Sequence, residues 1–186
     1  DRYTLSVEME IDKKGQVIKS RIFKSVIHSN IQMTYQKVYN ILEHHKKYAE
    51  YEPHVKTLRL MKELAEILMQ KKDRQGAIDF NMPEAKILLD ENDAVLDVGL
   101  REMTIANKII EEFMIVANET VAETFFKKEI PFIYRIHEKP EEDRIEKLNT
   151  FLKNTNYHEI EKIDNQNLKQ INHESKGREE ETLVSL

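Results

Sequence analysis

The polar side chains that are the best candidates for a chemical role lie on one long apolar segment, residues 104–127. The segment reads TIANKIIEEFMIVANETVAETFFK and has neither glycine nor proline, which predicts a helix. Successive helical residues are about 100° apart, so Asn107, Glu111 and Asn118 fall within about 40° of one another. Apolar residues cover most of the remaining circumference, so we expect a helix buried on several sides and N-capped by Thr104. A buried carboxylate needs a polar partner, which makes Glu111 the first candidate for a functional residue.

A second polar face of the same predicted helix carries Lys108, Glu112, Glu119 and Glu123. We expect this face to be exposed to solvent. Glu111 and Glu112 point about 100° apart, so only one of them should touch a ligand. For Glu111 the alternative to a ligand contact is a buried structural hydrogen bond to Asn107 or Asn118.

Other groupings of reactive residues are weak. His44 and His45 are adjacent in a polar connection. Histidines in such a connection are more often exposed to solvent than bound to a metal. The acidic turn at 90–93 lacks the glycine and the distal glutamate of an EF-hand loop. The sequence has no glycine-rich phosphate loop, no HExxH and no GxSxG, and its carboxylates are scattered. Spacing alone therefore indicates an α+β domain without a complete catalytic constellation.

Composition narrows the class of protein. The 186 residues are 34% charged and 40% hydrophobic, with four glycines, four prolines and no cysteine. The absence of cysteine excludes disulfides and thiolate chemistry, and the low glycine and proline content disfavours an all-β fold. No apolar run approaches the length of about 20 residues needed to span a membrane, and no signal peptide is visible. We expect a cytoplasmic protein.

Charge is distributed unevenly along the chain. Residues 1–75 contain 15 Lys and Arg against 10 Asp and Glu, a balance of +5, whereas residues 76–186 contain 14 against 24, a balance of −10. Lys19, Arg21 and Lys24 form the densest basic cluster on a predicted strand. The asymmetry is compatible with two differently charged solvated surfaces or with a front half that faces a polyanion.

Hydrophobic periodicity predicts the remaining elements. Residues 3–11 and 17–28 alternate as the strands of a hairpin, and 85–89 and 94–100 form a second hairpin. Helices are predicted at 33–43, 55–70, 140–154 and 164–174, and further strands at 77–81 and 130–138. The expected fold class is α+β, a mixed sheet of hairpins packed around the long buried helix 104–127.

The order of these segments is more specific than any single motif. The runs MTYQKV (33–38), GAIDF (76–80), IIEEFMIVAN (109–118) and PFIYRIHEKP (131–140) occur in series. This series resembles the second half of the catalytic RNB domain of the RNase II/RNase R exoribonucleases, and looks closer to RNase R. The resemblance covers residues 1–155 well and the tail more weakly. It implies one partial RNB domain over 1–186, with the metal-binding part of the domain and the flanking cold-shock and S1 domains outside the chain.

The resemblance implies an activity and three contact residues. The activity is processive, hydrolytic 3′→5′ degradation of single-stranded RNA to nucleoside 5′-monophosphates with a divalent metal such as Mg²⁺. Tyr35 matches a tyrosine that contacts ribose, Glu111 a glutamate that helps to tell RNA from DNA, and Phe80 an aromatic that clamps stacked nucleotides. A carboxylate can accept a hydrogen bond from a 2′-hydroxyl, and an aromatic ring stacks on any base. Without the resemblance, Tyr35 and Phe80 would be interpreted as core residues.

The resemblance also implies what this chain lacks. The family's aspartate cluster for metal and its transition-state arginine do not match any residue here, so we expect no catalytic and no metal-binding residue in the chain and no hydrolysis by the chain alone. The parent protein is expected to be a monomer that binds RNA and no membrane. The alternatives are a non-catalytic RNA- or protein-binding module with RNB-like architecture, and a structural α+β domain without a ligand.

Overall fold

The structure, a computed structural model, describes residues 1–77, 84–101, 103–136, 141–155, 157, 160, 164–175 and 177–178. Its elements are β1 (Arg2–Ile11), β2 (Val17–Ile27), α1 (Tyr35–His44), a 3₁₀ helix (Ala49–His54), α2 (Val55–Arg74), β3 (Glu84–Leu89), β4 (Val95–Arg101), α3 (Ile105–Lys127), α4 (Glu142–Asn154) and α5 (Asn165–Ser175). The α+β class is confirmed, and β1–β2 and β3–β4 form two separate antiparallel hairpins. Within the described ranges, no helix is long and apolar enough to cross a membrane.

The β1–β2 hairpin forms because its alternation of side chains gives one apolar and one polar face. Val7 pairs with Ile22 and Glu8 pairs with Arg21. The turn is held by Asp12, whose Oδ1 accepts hydrogen bonds from the backbone N–H groups of Lys14 and Gln16, both at 2.8 Å. The hydrogen bond from Gln16, more than any other interaction, holds the pKa of the Asp12 carboxyl below its usual value. The predicted strands and turn are confirmed.

The β3–β4 hairpin closes on the same kind of turn. Asp90 Oδ1 accepts hydrogen bonds from the backbone N–H groups of Asn92 at 2.8 Å and Ala94 at 2.9 Å. Asp93 then takes a positive φ of 61°, the conformation that Gly15 adopts at φ 81° in the first turn. The acidic residues at 90–93 therefore act as a turn, as expected.

The chain divides into two compact units, Asp1–Lys71 with Met103–Arg135 and Lys72–Glu102 with Ile136–Leu186. The core of the first unit joins side chains of α1, the 3₁₀ helix, α2 and α3: Val38, Ile41, Leu42, Tyr51, Leu58, Ala65, Ala106 and Ile109. The second unit has a smaller core made by Leu152, Tyr157, Ile160 and Ile171. The first core follows the apolar periodicity of the helices that supply it, whereas the second combines Leu152 of α4 and Ile171 of α5 with Tyr157 and Ile160 from between the two helices.

Helix α3 is buried along one stripe. Thr104 and Asn107 form a capping box at its start, which confirms the predicted N-cap. The stripe recurs every three or four residues and consists of Ala106, Ile109, Glu112, Val116 and Thr120. On the opposite side Met114 is 60% exposed. Full burial along a single stripe differs from the expected burial on several sides, and apolar Ile110 and Phe126 are exposed together with Met114.

The predicted strand at 130–138 is wrong where the structure describes it. Residues 130–136 form neither helix nor strand, and Ile133 is 94% exposed. Phe132 instead packs on Phe125, with ring centroids 4.5 Å apart. An apolar run becomes a strand only when another strand pairs with it, and no described strand pairs with this one. The predicted strand 77–81 lies outside the described residues except for Ala77, which is not in a strand.

Candidate nucleic-acid interface

Tyr35 is the first residue of α1 and is 47% exposed. Its neighbour Thr34 is the N-cap, and the Thr34 Oγ1 accepts a hydrogen bond of 3.4 Å from the Lys37 backbone N–H. The next residues on the same side of α1, Val38 and Leu42, are buried in the core. Tyr35 is therefore not a core tyrosine in this structure, and it lies at the exposed start of a helix whose following turns are buried.

Tyr51 holds the segment that leads into α1. It lies in the 3₁₀ helix and is 2% exposed. The Tyr51 hydroxyl accepts a hydrogen bond of 3.1 Å from the Thr34 backbone N–H and donates one of 3.4 Å to the Gln32 carbonyl oxygen. These two bonds fix the backbone immediately before Tyr35. No pattern in the sequence pointed to this role, because it depends on a contact between residues 17 and 19 positions apart.

An ion pair closes the outer side of the same region. Lys37 Nζ lies 2.7 Å from Glu50 Oε1 and 5.4 Å from the ring centroids of both Tyr48 and Tyr51. The hydrogen bond between the two charged groups raises the pKa of Lys37 and lowers the pKa of Glu50. Helix α1 and the 3₁₀ helix are thereby joined at the surface as well as in the core.

Glu111 lies on the side of α3 that faces away from the core. Its side chain is 34% exposed, and its Oε2 lies 3.2 Å from Lys108 Nζ, one turn earlier on the helix. Asn107 is engaged in the capping box and Asn118 is exposed, so the expected alternative of a buried bond to either amide does not describe Glu111. Spacing of three residues between opposite charges would have identified Lys108 as the partner.

Glu112 corrects the predicted second polar face. It was expected to be exposed with Glu119 and Glu123, but it is 2% exposed, while Glu119 and Glu123 are exposed. The reason is geometric: Glu112 lies within about 60° of Ile109, which is in the core, whereas Glu111 lies about 160° from it. A helical projection shows which residues share a side, but it does not say which side faces the core.

Tyr35 and Glu111 belong to the same compact unit, on two helices that contact each other. Buried Val38 and Ile41 of α1 share one core with Ala106 and Ile109 of α3. This packing sets the positions of both helices, and therefore of the two polar side chains, relative to a common core. Phe80, the third candidate, lies outside the described residues.

The basic cluster on β2 does not form a continuous positive surface. Lys19 Nζ lies 3.3 Å from Glu10 Oε1, and the Arg21 Nε pairs with Glu8 across the hairpin. Lys24 pairs in register with Leu5 and lies on the other face. Cross-strand glutamates therefore neutralise two of the three cations, which disfavours a polyanion contact through this strand.

The described residues do not fit a metal site. Among them, no three His, Asp or Glu side chains come close enough together to hold an ion. His44 and His45 are both exposed, and His45 ends α1 in a left-handed conformation with φ 52°. Of the three candidate residues, the described structure leaves the Tyr35 side chain and the Glu111 carboxylate accessible to a ligand.

The sequence and the fold match one protein family. The RNB domain family matches residues 1–185, and the chain belongs to this family. Residues of the chain are 46% identical to ribonuclease R of Thermotoga maritima over 153 residues, which cover 82% of this chain and 22% of that protein. They are 39% identical to ribonuclease R 1 of Lactococcus lactis over 158 residues, covering 81% of this chain and 19% of the relative.

A solved structure shares the fold. Mycoplasma genitalium RNase R, in complex with ribose methylated single-stranded RNA, aligns with a TM-score of 0.90 at 21% sequence identity and covers 99% of this chain and 29% of its own. The predicted resemblance to the RNase II/RNase R family is confirmed. The chain spans about a fifth of the length of the curated relatives it matches.

Proposed function

We propose that the protein containing this chain is a 3′→5′ exoribonuclease that hydrolyses single-stranded RNA to nucleoside 5′-monophosphates. The observation that carries the proposal is the match to the RNB family over residues 1–185, together with 46% identity to a ribonuclease R. The RNase R of Mycoplasma genitalium has been solved with single-stranded RNA, which supports RNA as the substrate class. Within this protein, the chain contributes to the surface that receives RNA.

Glu111 and Tyr35 are proposed to recognise ribose. A carboxylate accepts a hydrogen bond from a 2′-hydroxyl, which DNA lacks, so Glu111 would favour RNA over DNA. The 34% exposure of its side chain supports this role, because a ligand hydroxyl can reach it. Lys108 lies 3.2 Å from one carboxylate oxygen and so orients the carboxylate from one side. The half-exposed ring of Tyr35 would contact the same ribose or a neighbouring one.

Phe80 is proposed to stack on a terminal base, which suits an enzyme without sequence preference. Phe80→Ala in the whole protein should therefore change the length of the shortest products that accumulate. Phe126→Ala is the matched control, since Phe126 is 73% exposed and lies at the end of α3 outside the proposed contact set. Denaturing gels of a 5′-labelled RNA measure both variants, and identical end products for Phe80→Ala and the native protein would remove Phe80 from the site.

The same proposal includes Mg²⁺, a cytoplasmic location and a monomeric parent protein. The metal would promote attack of water on the phosphodiester, and its ligands would be residues outside the described ones, which do not gather a metal site. The chain alone would then give no hydrolysis. A membrane partner has no place in this proposal.

The test is a nuclease assay with the whole protein and with the 186-residue chain. A 5′-labelled single-stranded RNA should be shortened from its 3′ end in the presence of Mg²⁺, and EDTA should abolish the reaction. The isolated chain should release no nucleotide under either condition. RNA binding by the whole protein without metal-dependent shortening would favour a non-catalytic binding module instead. If the protein neither binds nor shortens RNA, the interpretation as a structural domain without a ligand would be favoured.

A further inference from the structure

A buried phenol stands directly behind the proposed ribose contact. The Tyr51 hydroxyl bonds to the Thr34 N–H at 3.1 Å and to the Gln32 carbonyl oxygen at 3.4 Å, and the next residue after Thr34 is Tyr35. We name this set of two hydrogen bonds the entry clamp of α1. We propose that Tyr51 is a positioning residue that, through the entry clamp, fixes the direction in which Tyr35 is presented to RNA. This inference rests on the proposed function of Tyr35.

The entry clamp holds the chain at the point where the direction of the first helical side chain is decided. The first backbone N–H groups of a helix have no partner within the helix, and the direction of the chain before the first turn decides where the first side chain points. The Thr34 cap bond to the Lys37 N–H is long, at 3.4 Å. The shorter bond from the Thr34 N–H to Tyr51 therefore does more to hold this turn. Gln32, Thr34 and Tyr35 are exposed, and the alternating residues Ile31 and Met33 pack against the core. The buried phenol adds the hydrogen bonds that hold the backbone between them.

Tyr51 is itself firmly placed. Its ring belongs to the core of the first unit, together with Val38, Ile41 and Leu58. Lys37, paired with Glu50, lies 5.4 Å from its ring centroid on the outer side. Because the Tyr51 side chain is fixed on both sides, its hydroxyl can hold the backbone of residues 32–34 in one position. This is the arrangement that keeps a contact residue within the narrow geometry that recognition requires.

Removal of the hydroxyl alone separates positioning from packing. Tyr51→Phe keeps the ring in the core and deletes both hydrogen bonds of the entry clamp. Tyr48→Phe is the matched control, because Tyr48 lies beside the same Lys37 and its hydroxyl accepts a hydrogen bond of 3.1 Å from the Asn40 side chain instead of from the entry segment. The two variants each lose one phenol hydroxyl, and only one of them loses the clamp.

The first measurement is amide hydrogen exchange of the peptide that covers residues 31–36 in the whole protein. Tyr51→Phe should raise the exchange rate at Thr34 by about tenfold, since the Thr34 N–H loses its acceptor, while Tyr48→Phe should leave it unchanged. This readout does not depend on any activity. Equal exchange in native protein and Tyr51→Phe would overturn the clamp.

The second measurement is the ratio of kcat/KM for an RNA to that for the same strand with a deoxyribose 3′ end. We expect Tyr51→Phe to lower this ratio by about fivefold, as expected when the ribose contact of Tyr35 is weakened by the equivalent of one hydrogen bond. Tyr48→Phe should not change it. The double variant Tyr35→Ala/Tyr51→Phe should match Tyr35→Ala alone, because Tyr51 acts through Tyr35.

Two outcomes distinguish failure of the positioning role of Tyr51 from failure of the ribose contact of Tyr35. Additive effects in the double variant would overturn the positioning role, because Tyr51 would then act independently of Tyr35. An unchanged ratio in Tyr35→Ala would overturn the proposed ribose contact and with it the effect of Tyr51 on specificity. In that case the exchange result still decides whether the clamp exists.

Discussion

Glu111 and Glu112 are neighbours on α3, yet they lie in opposite environments. Glu112 is almost completely buried on the core side, in the stripe with Ile109 and Val116. Glu111 keeps a third of its side chain exposed on the far side, where Lys108 holds it by an ion pair. The far side also carries exposed Met114 and Asn118. One side of the helix therefore packs in the core, and the other side presents an oriented carboxylate that is accessible to a ligand.

The comparison shows that access, rather than the presence of a carboxylate, selects the candidate. A group that recognises a hydroxyl must keep a lone pair open to the ligand, and a carboxylate has room for about four such bonds. Glu111 retains that access beside its lysine, whereas Glu112 is enclosed. Glu123, further along the helix, represents a third case, since it is exposed and paired with Lys127 at 2.7 Å.

The largest expected effect concerns the buried side. Glu112→Ala should lower the free energy of unfolding of the 186-residue chain by about 2–3 kcal/mol, because it leaves a cavity and removes the interactions of a buried polar group. Glu111→Ala should cost less than about 1 kcal/mol, as expected for a partly exposed ion pair. Urea unfolding followed by circular dichroism measures both. Equal losses would show that the two sides of α3 are not distinct in stability.

The second prediction concerns substrate preference, for which Glu111 should matter more than Glu112. In the whole protein, Glu111→Ala should reduce the preference for RNA over DNA by about tenfold, the value of a hydrogen bond to a charged group. Glu112→Gln keeps the size of the buried side chain and should preserve the preference. Competition between labelled RNA and DNA strands gives the ratio of kcat/KM directly. A loss of preference in Glu112→Gln but not in Glu111→Ala would exchange the assignments.

A smaller effect tests whether Lys108 orients Glu111. Lys108→Met retains the length of the side chain and removes the charge, and we expect a reduction in the RNA preference of about threefold, through a less ordered carboxylate. Lys108→Arg should restore most of it. If both variants behave alike and differ from the native protein, the size of the side chain matters and its charge does not.

The smallest effect belongs to the exposed pair. The hydrogen bond from Lys127, followed by its charge, lowers the pKa of Glu123. Since the folded-state pKa lies below the unfolded value, the pair adds stability above that unfolded value and loses it as the pH falls through the lowered pKa. Glu123→Gln should therefore reduce the melting temperature slightly at pH 7 and not at pH about 3. A constant difference at both pH values would mean that Glu123 contributes through packing instead of charge.

Much of the fold follows from local patterns. The alternation in residues 3–11 predicted β1, and the glycine-free apolar run predicted α3 with its cap at Thr104. Tertiary information decided the rest. The burial of Glu112 depends on which side of α3 meets α1, and the absence of a strand at 130–136 depends on a pairing partner.

The candidate site divides in the same way. Tyr35 and Glu111 were predicted from the motifs MTYQKV and IIEEFM, and their exposure supports the proposed roles, which stay predictions. Phe80 is a prediction outside the described residues. Tyr51 was not predicted, since a tyrosine that bonds to backbone groups 17 and 19 residues away leaves no periodic signal.

The two hairpin turns differ in what they leave open to protein engineering. Both are anchored by an aspartate, but a Cβ at Gly15 would lie 3.3 Å from the Lys71 Cβ and 3.4 Å from the Ile67 carbonyl oxygen. The tip of β1–β2 is thus pressed against α2, whereas residues 91–93 at the tip of β3–β4 are exposed. An epitope tag or a fluorophore-bearing loop should therefore be tolerated after Glu91, and the same insertion after Lys14 should separate the hairpin from its helix.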